Sequence, residues 1–504
     1  MSIESTHPDY STMLDDWRQM RDTVAGQRVV KEAGTAYLPA TMGMLLDGVA
    51  EASQPGYGQY LSYRDRAVFP EIVDEAVSVM VGIMHREPAD IQLPAVMEPL
   101  RNSATRMGEG LQMLLRRINE SQLLYGRIGT LIDVEDGADL PHIVTYGAET
   151  ITNWDDTRAV ETDVNKLSFL VTSEDAYVRG GEGATQFDWV LSTRYRVAEV
   201  GDSGYYETYV QHDDETGPVI TPNVGGKPLD FIPFTFIGSR DLTPTPDRIP
   251  LLPISNIALS IYKSEADYRQ SLHMLSQDTL VIKGAQLGDD NDPDAPTRIG
   301  AGAKIEVPEE GDAKFIGIES KGVPEQRKAI EDDRKTAAAQ GARLLENTSS
   351  QAESGEALRV RVAAKTTTLQ TVALAGGVGL ETALKQIAIW IGANPDEVRV
   401  TPNTDFVEDN GSAEDAAKLV EAKLQGLPIS LESLHEWMRK NDLTTKTWDE
   451  EIATIKTEAP IMAMFKTTLG ELLPDPPPVV VNEPGAEDED ENKPNPGDES
   501  EGDE

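Results

Sequence analysis

Two long helical stretches bracket a short segment rich in glycine and aspartate, and this order constrains the chain more than any other feature. Pro253 suits a first helical turn, and Ile254, Ile257, Ile261, Tyr268, Leu272 and Leu275 follow in helical spacing. After them the period breaks into short strand candidates, Thr279 to Lys283, Ala303 to Val307 and Ala313 to Ile318, with turns between Gly288 and Pro296. Helix is predicted again from Pro324 to about Glu346, rich in Ala, Glu, Lys and Arg. A polar, aperiodic stretch, Asn347 to Glu353, precedes a third helix whose N-cap is Ser354 and which reaches about Gly392 without a proline. Such a helix is roughly 57 Å long if straight. Gly376, Gly377 and Gly379 predict a kink or break in it. A β excursion between two long helices implies a projecting hairpin. A projecting hairpin exposes apolar faces, which packing against identical neighbours would cover. A heterologous contact repeated about an axis closes a ring.

Upstream, residues 1–30 look polar and mixed, and Tyr57 to Pro70 is aromatic and turn-rich. Ile72, Val73, Ala76, Val77, Met80, Ile83 and Met84 mark a helix that Pro88 ends, and a second covers about Thr105 to Leu124. The period then switches to two. Strands are predicted over Ile128 to Val134 and His142 to Tyr146 around an Asp136-Gly137 turn, then over Lys166 to Thr172, Asp188 to Val200, Tyr205 to Gln211 and Phe231 to Ile237. Residues 31–245 thus form one α+β region. Downstream, Glu397 to Val400 is a strand candidate, and Ser412 to Gln425, Leu431 to Asn441 and Trp448 to about Lys456 are helices. From Glu471 to Glu504 there are 13 acidic residues, one lysine and several prolines, which predicts a disordered tail.

The length of 504 residues allows several cores. No run is apolar enough to predict a membrane span, and no signal peptide is visible at the N-terminus. With no cysteine, disulfides and thiolate chemistry are excluded. A formal net charge of −42 argues against a protein that grips nucleic acid, yet permits one that passes it with weak phosphate contact. The six histidines are scattered, and neither a phosphate-binding loop nor a G-x-S-x-G motif is present. The run Asp289 to Asp294 alternates carboxylates, but Pro296 breaks calcium-loop spacing, so no metal or cofactor is expected.

Four segments, in order, resemble the portal proteins of tailed bacteriophages. They are YRDRAVFPEIVDEAVSVMVGIMHREP from Tyr63, LLYGRIGTLIDVED from Leu123 with PHIVTYGAETITNWDD from Pro141, IYKSEADYRQSLHMLSQDTLVIKG from Ile261, and SGEALRVRVAAKTTTLQTVA from Ser354. The resemblance spans about Tyr57 to Trp390. It implies an α+β portal fold with a wing over residues 1–250, stem helices over 251–276 and 323–346, and a small β clip over 277–322. It also implies a tunnel loop over 347–353, a long kinked wing helix with return strand over 354–410, a helical crown over 411–473 and a disordered acidic tail over 474–504. The implied function is a non-enzymatic dodecameric ring at one capsid vertex that conducts double-stranded DNA during packaging and ejection. Its implied partners are terminase, a major capsid or scaffold protein and a head-completion adaptor or tail protein. It would act in the virion, after assembly in the host cytoplasm. Other readings are another minor head or tail structural protein, or a carboxylate-based hydrolase with an acidic surface.

On this resemblance the tunnel loop that faces DNA is Asn347, Thr348, Ser349, Ser350, Gln351, Ala352 and Glu353. Neutral hydroxyls and amides brush phosphates without holding them, unlike a lysine-rich loop. Lys283, Arg298, Lys304 and Lys314 are candidates for the clip lumen or for docking partners. Arg359, Arg361 and Lys365, with Glu331, Asp332 and Asp333, are candidates for ion pairs between subunits, which add little energy but set register.

Overall fold

In the computed structural model the described residues are 3–135, 137–138, 140–155, 167–180, 185, 187–212, 215–275, 279–283, 312–316, 322–342, 355–406, 413–440 and 443–457. They belong to two units, Met1–Val407 and Glu408–Glu504. The first carries helices α1 (Pro8–Val24), α2 (Gln27–Glu32), α3 (Met42–Asp47), α4 (Pro55–Arg66), α5 (Ile72–Met84), α6 (Leu111–Tyr125), α7 (Leu252–Leu275), α8 (Gly322–Ala342) and α9 (Gly355–Ile391). The second carries α10 (Ala413–Leu424), α11 (Leu431–Lys440) and α12 (448–457). In the second unit His435 is buried against the edge of the Trp448 ring.

Among the described residues all sheets are antiparallel. β2 (Arg127–Asp133) lies between β3 (His142–Gly147) and β11 (Phe234–Gly238). A five-stranded sheet runs β4 (Ile151–Asp155), β5 (Phe169–Arg179), β6 (Trp189–Val200), β7 (Tyr206–His212) and β8 (Glu215–Thr216). Among the described residues three two-stranded pairs accompany these: β1 (Asp90–Gln92) with β14 (Arg399–Thr401), β9 (Asn223–Val224) with β10 (Lys227–Pro228), and β12 (Thr279–Lys283) with β13 (Asp312–Ile316). The fold is therefore α+β.

Several expectations are corrected. The polar N-terminal stretch is helical: Tyr10, Trp17 and Met20 form a narrow buried stripe that the surrounding charges hid. The aromatic stretch at Tyr57 is not a string of turns but α4, opened by Pro55 and burying Tyr60 and Tyr63. Helix α6 starts at Leu111 and not near Thr105, because Gly108 turns the chain with φ of 81°. Strand β5 continues past Thr172 to Arg179, paired throughout with β6.

The glycines of α9 do not break it, since one helix runs through them. They are points of close approach. A Cβ at Gly379 would lie 2.6–2.7 Å from three Ile237 atoms, and one at Gly377 would lie 2.8 Å from Pro402 Cδ. A Cβ at Gly376 would collide with the amide of buried Asn119. There Asn119 donates to Gln122 Oε1 at 2.8 Å, Gln122 donates to the Gly238 carbonyl, and His85 Nε2 lies 2.9 Å from Asn119 Oδ1. The segment Thr367–Ile391 has the length and hydropathy of a membrane span, but its burial is that of a core helix against α6, β2, β11 and β14.

A second anchor lies at Arg127, which is 1% exposed. Its guanidinium lies 5.1 Å from the ring centre of Trp17, 4.6 Å from Trp154 and 5.6 Å from Phe236, and donates to the carbonyls of Pro244 and Ile151. Burial pushes its pKa down to about 9, while the three ring faces attract the cation. The box ties α1 to β4 and β11.

Candidate functional site

The site is a two-helix arm whose root is in the core. Ile254, Ala258, Ile261, Tyr262 and Ala266 are buried, and α7 packs there against α1, α4 and α5. Beyond Ala266 the burial stops, leaving Leu272 41% and Met274 58% exposed. The helix has left its core. The β12–β13 pair follows, in register from Thr279↔Ile316 to Lys283↔Asp312, and the chain returns as α8.

Helix α8 packs mainly on α7 and buries one seam. Val323, Gln326, Ile330, Asp333 and Ala337 recur at alternating spacings of three and four, and only Ile330 and Ala337 among its described side chains are fully buried. A stripe this narrow is the pattern of a helix with one helical partner.

Charged and polar contacts fix the arm where it leaves the core. Glu265, 7% exposed, accepts from Arg269 Nε at 2.8 Å on its own helix and from Arg334 Nη2 at 2.8 Å on α8. On the other side of α7, the Tyr63 hydroxyl donates to Asp267 Oδ1 at 2.6 Å, and Arg66 donates to Gln270. Burial, then the bond to Asp267, pushes the Tyr63 pKa well above the phenol range. Sequence reasoning missed these residues. Glu265 and Arg269 are a visible i,i+4 pair, but nothing local connects either to Arg334.

Of the anticipated site residues, Lys283 stands on the end rung of β12 opposite Asp312, and Lys314 on β13 opposite Val281. Arg298, Lys304 and the whole of Asn347 to Glu353 lie outside the described residues, as does the acidic tail. Arg359, Arg361 and Lys365 fall on α9, and their side chains lie outside the description. Each of the three anticipated carboxylates on α8, Glu331, Asp332 and Asp333, has a partner within the chain. Arg327 Nε donates to Glu331 at 3.1 Å, Lys335 Nζ to Asp332 at 3.3 Å, and Ser260 Oγ to Asp333 at 3.4 Å. Glu331 and Asp332 are 52% and 60% exposed, so these pairs are worth about 0–1 kcal/mol each.

Two open concavities lie elsewhere in the first unit. One of ≈ 470 Å³ runs beside α9, where Glu381 accepts from the Val400 N–H and from Lys385. The other, ≈ 620 Å³, includes a Ser192 Oγ···His212 Nε2 contact of 2.8 Å between two half-exposed side chains of one sheet. Among the described residues no three His, Asp or Glu gather as a metal site requires.

Residues 250–391, which hold the arm and α9, match the model of a domain of unknown function (DUF4055). No curated protein matches the chain. Among solved structures, the chain is similar to one in the neck of the native GTA particle computed with C12 symmetry, at 13% identity and a TM-score of 0.35, covering 73% of this chain and 89% of the other. A chain from the virion of the native gene transfer agent (GTA) particle is 14% identical with a TM-score of 0.38, over 77% and 97% of the two chains. One from the neck of the empty GTA particle computed with C6 symmetry is 12% identical with a TM-score of 0.36, over 78% and 96%.

Proposed function

We propose that this chain is a structural component of the head-to-tail region of a phage-type particle and, more specifically, a portal subunit. Copies of it form a closed ring at one capsid vertex, and double-stranded DNA passes through the ring during packaging and ejection. Terminase, a capsid or scaffold protein and a head-completion adaptor dock on it. The subunit performs no catalysis, and a separate motor does the ATP-driven work.

One observation carries this reading. An α7–β12–β13–α8 arm departs from a closed core, buries a single seam, and leads through residues 343–354 into the core helix α9. A monomer gains little from such an arm, whereas a ring gives it a neighbour on each side. The four segments that resemble portal proteins support the same reading. Native mass spectrometry of the purified full chain tests the reading, with a closed species of one size near twelve copies expected. A chain that stays monomeric or dimeric at every concentration sinks it. Deleting residues 347–353 should leave ring assembly intact and impair DNA packaging or retention.

A further inference from the structure

The second unit presents more apolar surface than it covers. Among its described residues only Leu434 and His435 have fully buried side chains, while Val420, Leu424, Leu427, Leu431 and Ile455 are exposed. Four of these five gather about one tight turn. Val420 and Leu424 are one helical turn apart on α10, Leu427 stands in the turn, and Leu431 opens α11. The turn is fixed: Gly426 takes a φ of 105°, the Leu427 N–H donates to the Ala422 carbonyl at 3.0 Å, and Lys423 Nζ donates to the Ile429 carbonyl at 2.7 Å. Ile455 stands two residues before the end of α12. A helical unit this small holds its shape only if such surface is covered.

The sequence that follows has the matching pattern. Residues 458–504 lie outside the described residues. In the sequence, Ile461, Met464, Phe465, Leu469 and Leu472 recur at helical spacing, and at about 100° per residue they fall within an arc of about 140°. Lys466, Thr467 and Gly470 fall on the opposite side, and Pro460 suits a first helical turn.

We propose that residues 461–472 dock as an amphipathic helix on the exposed leucines of the same chain's second unit. The contact lies outside the ring reading and does not depend on it. Position selects the occupant. The four Cα steps from Thr457 to Ile461 reach at most about 14 Å, so the segment begins beside the end of α12, close to Ile455. A tether this short gives the segment a high effective concentration at its own unit, which the same segment of a neighbouring copy lacks. A stretch of this length is too short to be a stable helix in water by itself. Burial of its large side chains against those of α10 and α11 supplies what both surfaces lack. The acidic run from Glu471 onward would then leave from the end of this docked helix.

The test keeps the full chain and reads amide exchange over 413–457. Met464→Ser with Phe465→Ser and Leu469→Ser should accelerate it by at least roughly tenfold. Lys466→Ser with Thr467→Ser, on the polar side, should leave it as in the wild type. Exchange over 369–390 checks that the first unit stays folded in each version. The occupant is read separately. The chain has no cysteine, so Gln425→Cys with Lys466→Cys places two thiols beside the contact and outside it, to be joined by a flexible bis-maleimide. The linked chain should run as a monomer on a denaturing gel, and peptide mass spectrometry should find positions 425 and 466 joined. A ladder of linked dimers and higher species places the segment on a neighbouring copy and overturns the proposal, as does the absence of a link. Unchanged exchange in the apolar triple variant overturns it too, since the leucines are then open or covered by another protein. Equal acceleration by the polar variant has the same force. None of these outcomes alters the ring reading, which the size of the assembled species decides.

Discussion

Helices α8 and α9 are both long and continuous, yet they are held in opposite ways. From Leu369 to Trp390, α9 buries most of its surface, with Leu369, Val372, Leu380, Leu384 and Ile387 buried and three glycines letting neighbouring groups approach its backbone, while Leu374, Val378 and Ile389 on its outer face are about half exposed. Helix α8 has Ile330, Ala337 and a half-buried remainder of one seam. The contrast separates what the chain stabilises by itself from what it leaves for others to cover. Local stability follows buried contact, so the arm should open well before the core does.

The largest effect should come from filling the closest approach in the core. Gly376→Val drives a branched side chain into Asn119 and breaks the hydrogen bond it donates to Gln122, combining overpacking with unsatisfied buried groups. A loss of about 3 kcal/mol or more is expected from urea denaturation. A change below about 1 kcal/mol would mean that α9 slides freely off α6, and the contrast between the two helices would fail.

A smaller and more local effect is expected at Glu265. Glu265→Gln removes the charge that Arg269 and Arg334 share, and both cations are about half exposed, so about 1 kcal/mol is at stake. Amide exchange over 322–342 should accelerate by roughly fivefold to tenfold, while 369–390 should stay unchanged. Equal acceleration in both stretches would show that arm and core open as one unit.

The same contrast explains what could be seen in the sequence. The arm was legible because its signals are local: helical spacing, a β excursion, then a stretch of strong helix formers, each within a short window. Strands β2, β3, β6, β7 and β11 were legible by alternation for the same reason. Helix α1 was not, because Tyr10, Trp17 and Met20 occupy too few positions to outweigh its charges, and their partners Arg127 and Trp154 are distant in sequence. The glycines of α9 pointed to a break because glycine is a poor helix former, whereas the need for them comes from Asn119, Ile237 and Pro402. At the site, composition predicted α8 as a helix but gave neither its seam nor the Glu265–Arg334 bond, since both require the register of α7 against α8.

The smallest expected effect depends on pH and belongs to the core alone. Burial holds the His85 imidazole below its ordinary pKa, with the bond to Asn119 opposing the shift and Arg116 adding to it. The folded chain thus favours the neutral ring, and the unfolded chain takes up the proton first as pH falls. This contribution to stability is complete above the unfolded value of about 6.5, and is lost as pH falls through the lower folded value. The carboxylates titrate alike in wild type and in His85→Gln, so the difference between the two isolates the histidine. The wild type should be the more stable at pH 7, and the gap in urea midpoint should narrow toward pH 5. The accompanying rise in amide exchange should appear in α5 and α6 and not over 322–342. A gap that is constant across this range would show that His85 titrates identically in both states. A rise concentrated in α8 would show that the arm is not independent of the amide network beneath α9.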